Sequence, residues 1–179
     1  ISDKRAHEKR VVKWLEQIAP SADRLYLLGD VIDYWFEYRD VVPRGYTRFF
    51  GALASIVDAG VDVTWLKGNH DIWTFGYLER ELGVKVVDEE LVTEIDNRRF
   101  YLAHGDGEGS YGRKYKMMRA LFRSRAAQRA FASIHPRLTV PLGRHCSSDS
   151  REKGSGPACN ALFLPDESSL MKFARRYND

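Results

Sequence analysis

Apolar positions along the first hundred residues recur in two alternating rhythms. In residues 5–18, Val11, Val12, Leu15 and Ile18 fall on one face and Lys9, Arg10, Lys13 and Glu16 fall off it, which predicts an amphipathic helix. Leu25-Tyr26-Leu27-Leu28 is then a short apolar run closed by Gly29, the pattern of a buried strand. Pro43 can open a second helix, with Phe49, Phe50, Leu53, Ile56 and Val57 as its apolar stripe and Gly60 as its stop. A strand is expected over 61–66, a short helix over 73–82 and a strand over 84–87. Residues 91–95 and 98–103 flank Asp96-Asn97, a two-residue hairpin turn. Strands that alternate with helices in this way predict an α/β fold, and no internal repeat interrupts the series.

The character of the chain changes after Asp106. Residues 110–153 carry eleven Lys or Arg against two acids, Asp149 and Glu152, a net of +9, which leaves −6 on the rest of a chain of +3. A helix near 112–125 is expected to place Tyr115, Met118, Leu121 and Phe122 on one face and Arg113, Lys116, Arg119 and Arg123 on the other. That pattern suits a solvated helix packed on the core, a cap facing an anionic, acylated ligand at a lipid surface, or a surface for nucleic-acid phosphates. Residues 147–157 are polar and Gly-rich and read as a loop, and 160–177 as a last helix with Leu162, Leu170, Phe173 and Ala174 turned to the core. The chain is 179 residues long, 44% hydrophobic and 12% aromatic, enough to bury one sizeable core. We therefore expect one domain: a core over 1–107, a helical cap insertion over 108–165, and a return to the core over 166–179. No apolar run reaches the 18 residues that a membrane-spanning helix requires. Cys146 and Cys159 make neither a CxxC motif nor a zinc spacing, which fits a reducing, cytoplasmic setting.

The candidate chemistry gathers where strands stop. Gly29 is followed by Asp30 and Asp33, Gly68 by Asn69-His70-Asp71, and the 98–103 strand by His104-Gly105-Asp106; Ile1-Ser2-Asp3 offers a fourth strand end. In open α/β sheets, ligands bind in the crevice outside the carboxyl ends of the strands. Taken singly, each polar residue has a structural reading: an Asp after Gly is a turn residue, His70 a satisfied turn histidine, Asp71 a helix N-cap. Together they supply carboxylate, carboxamide and imidazole, the ligand types that divalent cations take.

In their order and spacing, Asp3, Gly29-Asp30-Val31-Ile32-Asp33, Gly68-Asn69-His70-Asp71 and His104-Gly105 resemble the signature of the calcineurin-like metallophosphoesterases. Asp33-Tyr34-Trp35, Ile72-Trp73, and His104-Gly105-Asp106 with the basic helix behind it are similar to the UDP-2,3-diacylglucosamine diphosphatases of lipid A synthesis. The resemblance implies a sandwich of two mixed sheets flanked by helices, with a helical insertion. It implies two divalent ions, manganese first and zinc or iron as alternatives, that serve attack on a pyrophosphate. Asp30 would bridge them, Asp3 would hold one, and Asn69 and His104 the other. His70 would meet the phosphoryl group, Asp71 would orient His70, and Arg113 and Lys116 would join Asn69 and His70 in substrate binding. The implied partners are an acylated nucleotide sugar and the cytoplasmic face of the inner membrane, held peripherally, with nucleic acid disfavoured. Asp3 is followed by Lys4-Arg5 and not by the family's Asp-x-His, and His135 and His145 lack its Gly-His-x-His. Further residues between Asp3 and Lys4, and beyond Asp179, are expected to supply those ligands. A phosphodiesterase or nuclease of the same superfamily, and a non-catalytic scaffold with this fold, are the competing readings.

Overall fold

Leu15 commits the first helix, α1 (Arg5–Ile18), to the core: it is buried, and Val11, Val12 and Ile18 pack beside it as their spacing predicts. One polar residue of α1 is buried with them. Glu8 reaches the second helix, α2 (Thr47–Asp58), where its Oε1 accepts from Arg48 N at 3.0 Å and Phe49 N at 3.3 Å. These are first-turn donors that the helix itself cannot satisfy. Pro43 was expected to open α2, yet the helix begins four residues later. Gly45 (φ +107°) and Tyr46 (φ +63°) turn the chain first, and the donors that Glu8 satisfies are those after Tyr46. Phe49, Phe50, Leu53 and Ile56 are then buried, and Gly60 (φ +94°) follows the helix in the left-handed conformation that ends it. The computed structural model describes residues 5–88, 90–105 and 113–154, the side chains of 113–116 and 148–154 excepted.

The strands β1 (Arg24–Leu28), β2 (Asp62–Leu66) and β3 (Lys85–Val87) form a parallel sheet in that order, registered from Arg24 on Asp62 to Leu28 on Leu66, and Thr64 on Lys85. β2 is central, and four of its five residues are buried. The crossovers run through α2 and through α3 (Tyr77–Leu82), which is shorter than the helix expected over 73–82. Trp73 is taken instead by a parallel bridge to Phe36, and the chain becomes helical only after Gly76. β4 (Glu90–Ile95) and β5 (Arg98–Ala103) form an antiparallel hairpin, with Asp96 (φ +51°) and Asn97 (φ +59°) in the left-handed pair that a type I′ turn demands. Arg24 Nη1 donates to Glu94 O at 3.0 Å, and Tyr26 Oη lies 3.5 Å from Thr93 Oγ1, so the hairpin is tied to β1. The α/β class holds. Among the described residues each sheet is of one kind, because helical crossovers make parallel neighbours and a two-residue turn makes antiparallel ones.

The chain divides into two compact units, Ile1–His104 and Gly105–Asp179. The second holds α4 (Arg113–Arg123), α5 (Arg125–Ala132) and α6 (Pro136–Gly154). Ser124 separates the first two and caps α5 by accepting from Ala127 N at 3.5 Å. Residues 147–154, expected as loop, continue α6. Ser, Asp, Glu and Lys are tolerated in a helix, and the first glycine of the stretch, Gly154, is its last helical residue. On α4, Met117, Met118, Leu121 and Phe122 are 72%, 47%, 55% and 39% exposed, while Arg119 and Arg123 are half-buried. The apolar stripe is therefore not spent on a core. No helix among the described residues is long and apolar enough to cross a membrane. The helix expected over 160–177 and the return of 166–179 to the core lie outside the described residues.

Candidate metal centre

Two glycines let the strand ends meet. Gly29 (φ +82°) leaves β1 in the left-handed region, and Asp30 follows at φ +49°, a conformation that a non-glycine residue rarely holds without a reason. A Cβ on Gly29 would sit 2.6 Å from His104 Nδ1 and 2.9 Å from Gly68 Cα, and one on Gly68 would collide with the Asp30 backbone nitrogen and Oδ1. Both positions need glycine because β1, β2 and the end of β5 converge there, which carries out the strand-end reading.

Asp30, Asn69, His70 and His104 come together. Asp30 Oδ1 accepts from His70 N at 2.8 Å, and its Oδ2 lies 3.3 Å from His104 Nε2 and 3.8 Å from His70 Nε2. Asn69 Oδ1 lies 3.2 Å from the same His104 nitrogen. The other His104 nitrogen, Nδ1, is 2.9 Å from Leu28 O. A carbonyl only accepts, so Nδ1 carries the hydrogen and the neutral ring turns a lone pair toward two oxygen acceptors. A cation, either a proton on Nε2 or a metal ion, would relieve this facing of lone pairs, and a carboxylate, a carboxamide and imidazoles are donors that divalent metals accept. Burial acts to raise the Asp30 pKa, but the His104 hydrogen bond, the His70 N–H and the two imidazoles outweigh it and hold the carboxyl below its usual range. Among the described residues no three His, Cys, Asp or Glu side chains are grouped so that they could hold a metal ion by themselves. The ionisable donors meet in pairs around Asp30, and the fourth donor is a carboxamide.

Asp71 was expected to orient His70, and its structural reading was a helix N-cap. It does neither. Its Oδ1 accepts from Gly68 N at 2.6 Å, and its Oδ2 accepts from Val31 N at 3.0 Å and Trp65 Nε1 at 3.2 Å, inside the core. Burial raises its pKa and the charge on Asp30 adds to the rise, against the pull of the Gly68 and Val31 donors. His70 Nδ1 lies 2.9 Å from the backbone carbonyl of Asp33, and Trp35 N donates to His70 O at 3.1 Å. The carbonyls of Leu28 and Asp33, which set the two rings, were not foreseen, because a backbone group leaves no mark in sequence. Trp65 was readable in part, since a buried indole N–H requires an acceptor. Asp3 lies outside the described residues. The backbones of Arg113 and Lys116 fall in α4, and their side chains lie outside the described residues.

The chain is 46% identical over 148 residues to the UDP-2,3-diacylglucosamine hydrolase of Porphyromonas gingivalis, an overlap of 82% of this chain and 56% of that protein. It is 26% identical over 162 residues to the UDP-2,3-diacylglucosamine hydrolases of Yersinia pseudotuberculosis serotype O:1b and Yersinia pestis biovar Antiqua strain Angola, covering 90% of this chain and 67% of each. The chain thus spans little more than half the length of the Porphyromonas relative. The calcineurin-like phosphoesterase profile matches residues 3–168, which takes in both units and every strand end described above, and the chain belongs to that family.

Proposed function

We propose that the protein is a metal-dependent hydrolase that cleaves the pyrophosphate of UDP-2,3-diacylglucosamine, giving 2,3-diacylglucosamine 1-phosphate and UMP. The observation that carries this reading is the junction at Asp30, where a carboxylate, a carboxamide and two imidazoles face one another at 3.2–3.8 Å with more acceptors than hydrogens. The names of the similar proteins supply the substrate. Calcineurin-like phosphoesterases use divalent metals. When bound here, such ions would activate water for attack on phosphorus and offset charge on the phosphoryl oxygens. Asp30, Asn69 and His104 would hold them, with Asp3 as a further carboxylate and manganese as the preferred ion.

The chain's own residues do the rest. His104 keeps its Nε2 lone pair on the site because Nδ1–H is tied to Leu28 O. His70 is held the same way through Asp33 O, so its Nε2 is the ring atom turned to the site, where it would meet the phosphoryl group. Asp71 fixes the 68–71 turn from below. The exposed apolar stripe of α4 and the basic surround of the second unit suit an acylated, anionic substrate drawn from the cytoplasmic face of the inner membrane, with the protein bound peripherally.

The test uses full-length protein and UDP-2,3-diacylglucosamine, with products identified by mass spectrometry in manganese, zinc or iron. UMP and the lipid 1-phosphate are expected, chelation is expected to stop their release, and Asp30→Ala is expected to lower turnover by more than about a hundredfold. Asp30→Ala with near wild-type turnover removes this site from the reaction. Cleavage of DNA with no release of UMP replaces the lipid reading with a nuclease.

A further inference from the structure

Glu37 lies outside the cluster of metal-type donors, yet its carboxylate is as heavily committed as that of Asp71 in the loops that carry them. Its side chain is 7% exposed and its carboxylate takes three donors: Trp35 Nε1 on Oε1 at 3.1 Å, and the backbone N–H groups of Phe75 and Tyr77 on Oε2, the latter at 3.1 Å. The two segments it joins are the ones that bear the site. Residues 29–38 bring Asp30 and the Asp33 carbonyl, and 68–77 bring Asn69 and His70. Neither segment is held in a sheet. They run side by side through Trp35 N to His70 O at 3.1 Å, Glu37 N to Trp73 O at 3.0 Å, and the isolated bridge of Phe36 with Trp73, whose rings sit 5.2 Å apart. Glu37 closes the far end of this ladder, and His70 sits at the near end.

We infer that Glu37 is a positioning residue for His70: it fixes the spacing of the two loops, and through it the place of the imidazole over the site. The inference rests on the hydrolase reading for its kinetic consequence. The physical reason is the count of donors. Three N–H groups need two acceptor oxygens, and a glutamine in this place must turn its amino group either toward the Trp35 indole N–H or toward the two backbone N–H groups. Either choice opposes donor to donor in a buried setting, and the loops must part to relieve it. A displacement at Phe75 then travels along the Trp73–Glu37 and His70–Trp35 bonds to the ring.

The experiment compares wild type, Glu37→Gln, Trp35→Phe and the double variant in full-length, manganese-loaded protein, on UDP-2,3-diacylglucosamine and on bis(p-nitrophenyl) phosphate. Glu37→Gln is expected to lose about tenfold in kcat on both substrates with KM changed by less than about twofold, as a misplaced catalytic group does. In Trp35→Phe the indole donor is gone, so adding Glu37→Gln to it should cost less than about threefold. In the metal-free proteins, where no paramagnetic manganese broadens it, the His70 backbone amide resonance should move in Glu37→Gln and return toward the Trp35→Phe position in the double variant. Wild-type kcat with an unmoved His70 amide overturns the inference. So does a loss that matches the unfolded fraction, or one that Trp35→Phe does not relieve. Should wild type cleave only the small diester, the substrate reading fails while the variant ratio on that diester still decides Glu37. Should it cleave neither, the His70 amide decides alone.

Discussion

Asp71 is fully buried and serves Gly68 N, Val31 N and Trp65 Nε1 with only two oxygens, so no neutral residue of its shape can replace it. In Asp71→Asn the amino group must face at least one of those donors. We predict a loss of about 2–4 kcal/mol in the metal-free protein, read by thermal or urea unfolding, because a buried donor is left without an acceptor. A change under about 0.5 kcal/mol would mean that neither the charge nor the second acceptor oxygen contributes to the fold. Asp30, Asn69, His70 and His104 were legible from their strand-end positions and their order. Their settings were not. The family resemblance implies a carboxylate partner for His70, as imidazoles at metal sites commonly have, whereas the chain folds Asp71 inward and offers the Asp33 carbonyl. Glu37 stayed invisible for a related reason: its backbone partners lie at Phe75 and Tyr77, too far along the chain for any spacing rule to connect them.

At the scale of elements, hydrophobic periodicity found α1, α2, the three parallel strands and the hairpin, and missed where helices begin. The start of α2 is set by Glu8 from another helix, a cap that Pro43 masked in the sequence. Glu8→Ala should therefore cost about 1–2 kcal/mol, as the loss of an N-terminal cap does, although the residue sits on α1. Glu16→Ala, at an exposed position of the same helix, should stay within about 0.5 kcal/mol and serves as the control. Equal effects of the two would show that Glu8 contributes only to α1. α3 lost its first turn to a similar tertiary claim, the pairing of Trp73 with Phe36, and α6 kept a polar stretch that looks like loop by composition because nothing in it breaks a helix before Gly154. In the first unit local pattern gives the kind of element and contacts distant in sequence give its ends, whereas over 147–154 composition misreads the kind itself.

At the scale of the molecule, the charge of +9 over 110–153 lies wholly within the second unit and sets it apart chemically as well as structurally. Its α4 displays Met117, Met118, Leu121 and Phe122 to solvent, with Arg119 and Arg123 half-buried, so the freely presented positive charge includes Arg125 and Arg129 on α5. If this unit meets an anionic lipid surface, reversing those two arginines should weaken binding to phosphatidylglycerol-containing vesicles by at least roughly thirtyfold, since each basic residue lost near such a surface costs about 1 kcal/mol and the new acids add repulsion. Leu121→Ala with Phe122→Ala should raise KM for the acylated substrate and leave a small chromogenic phosphodiester untouched, because only the former has chains that the exposed stripe can cover. Equal losses on both substrates would trace the effect to destabilisation of the unit. Intact vesicle binding in the charge-reversed variant, together with lost DNA binding, would assign the basic surface to nucleic-acid phosphates, whose affinity should then fall linearly with the logarithm of salt concentration.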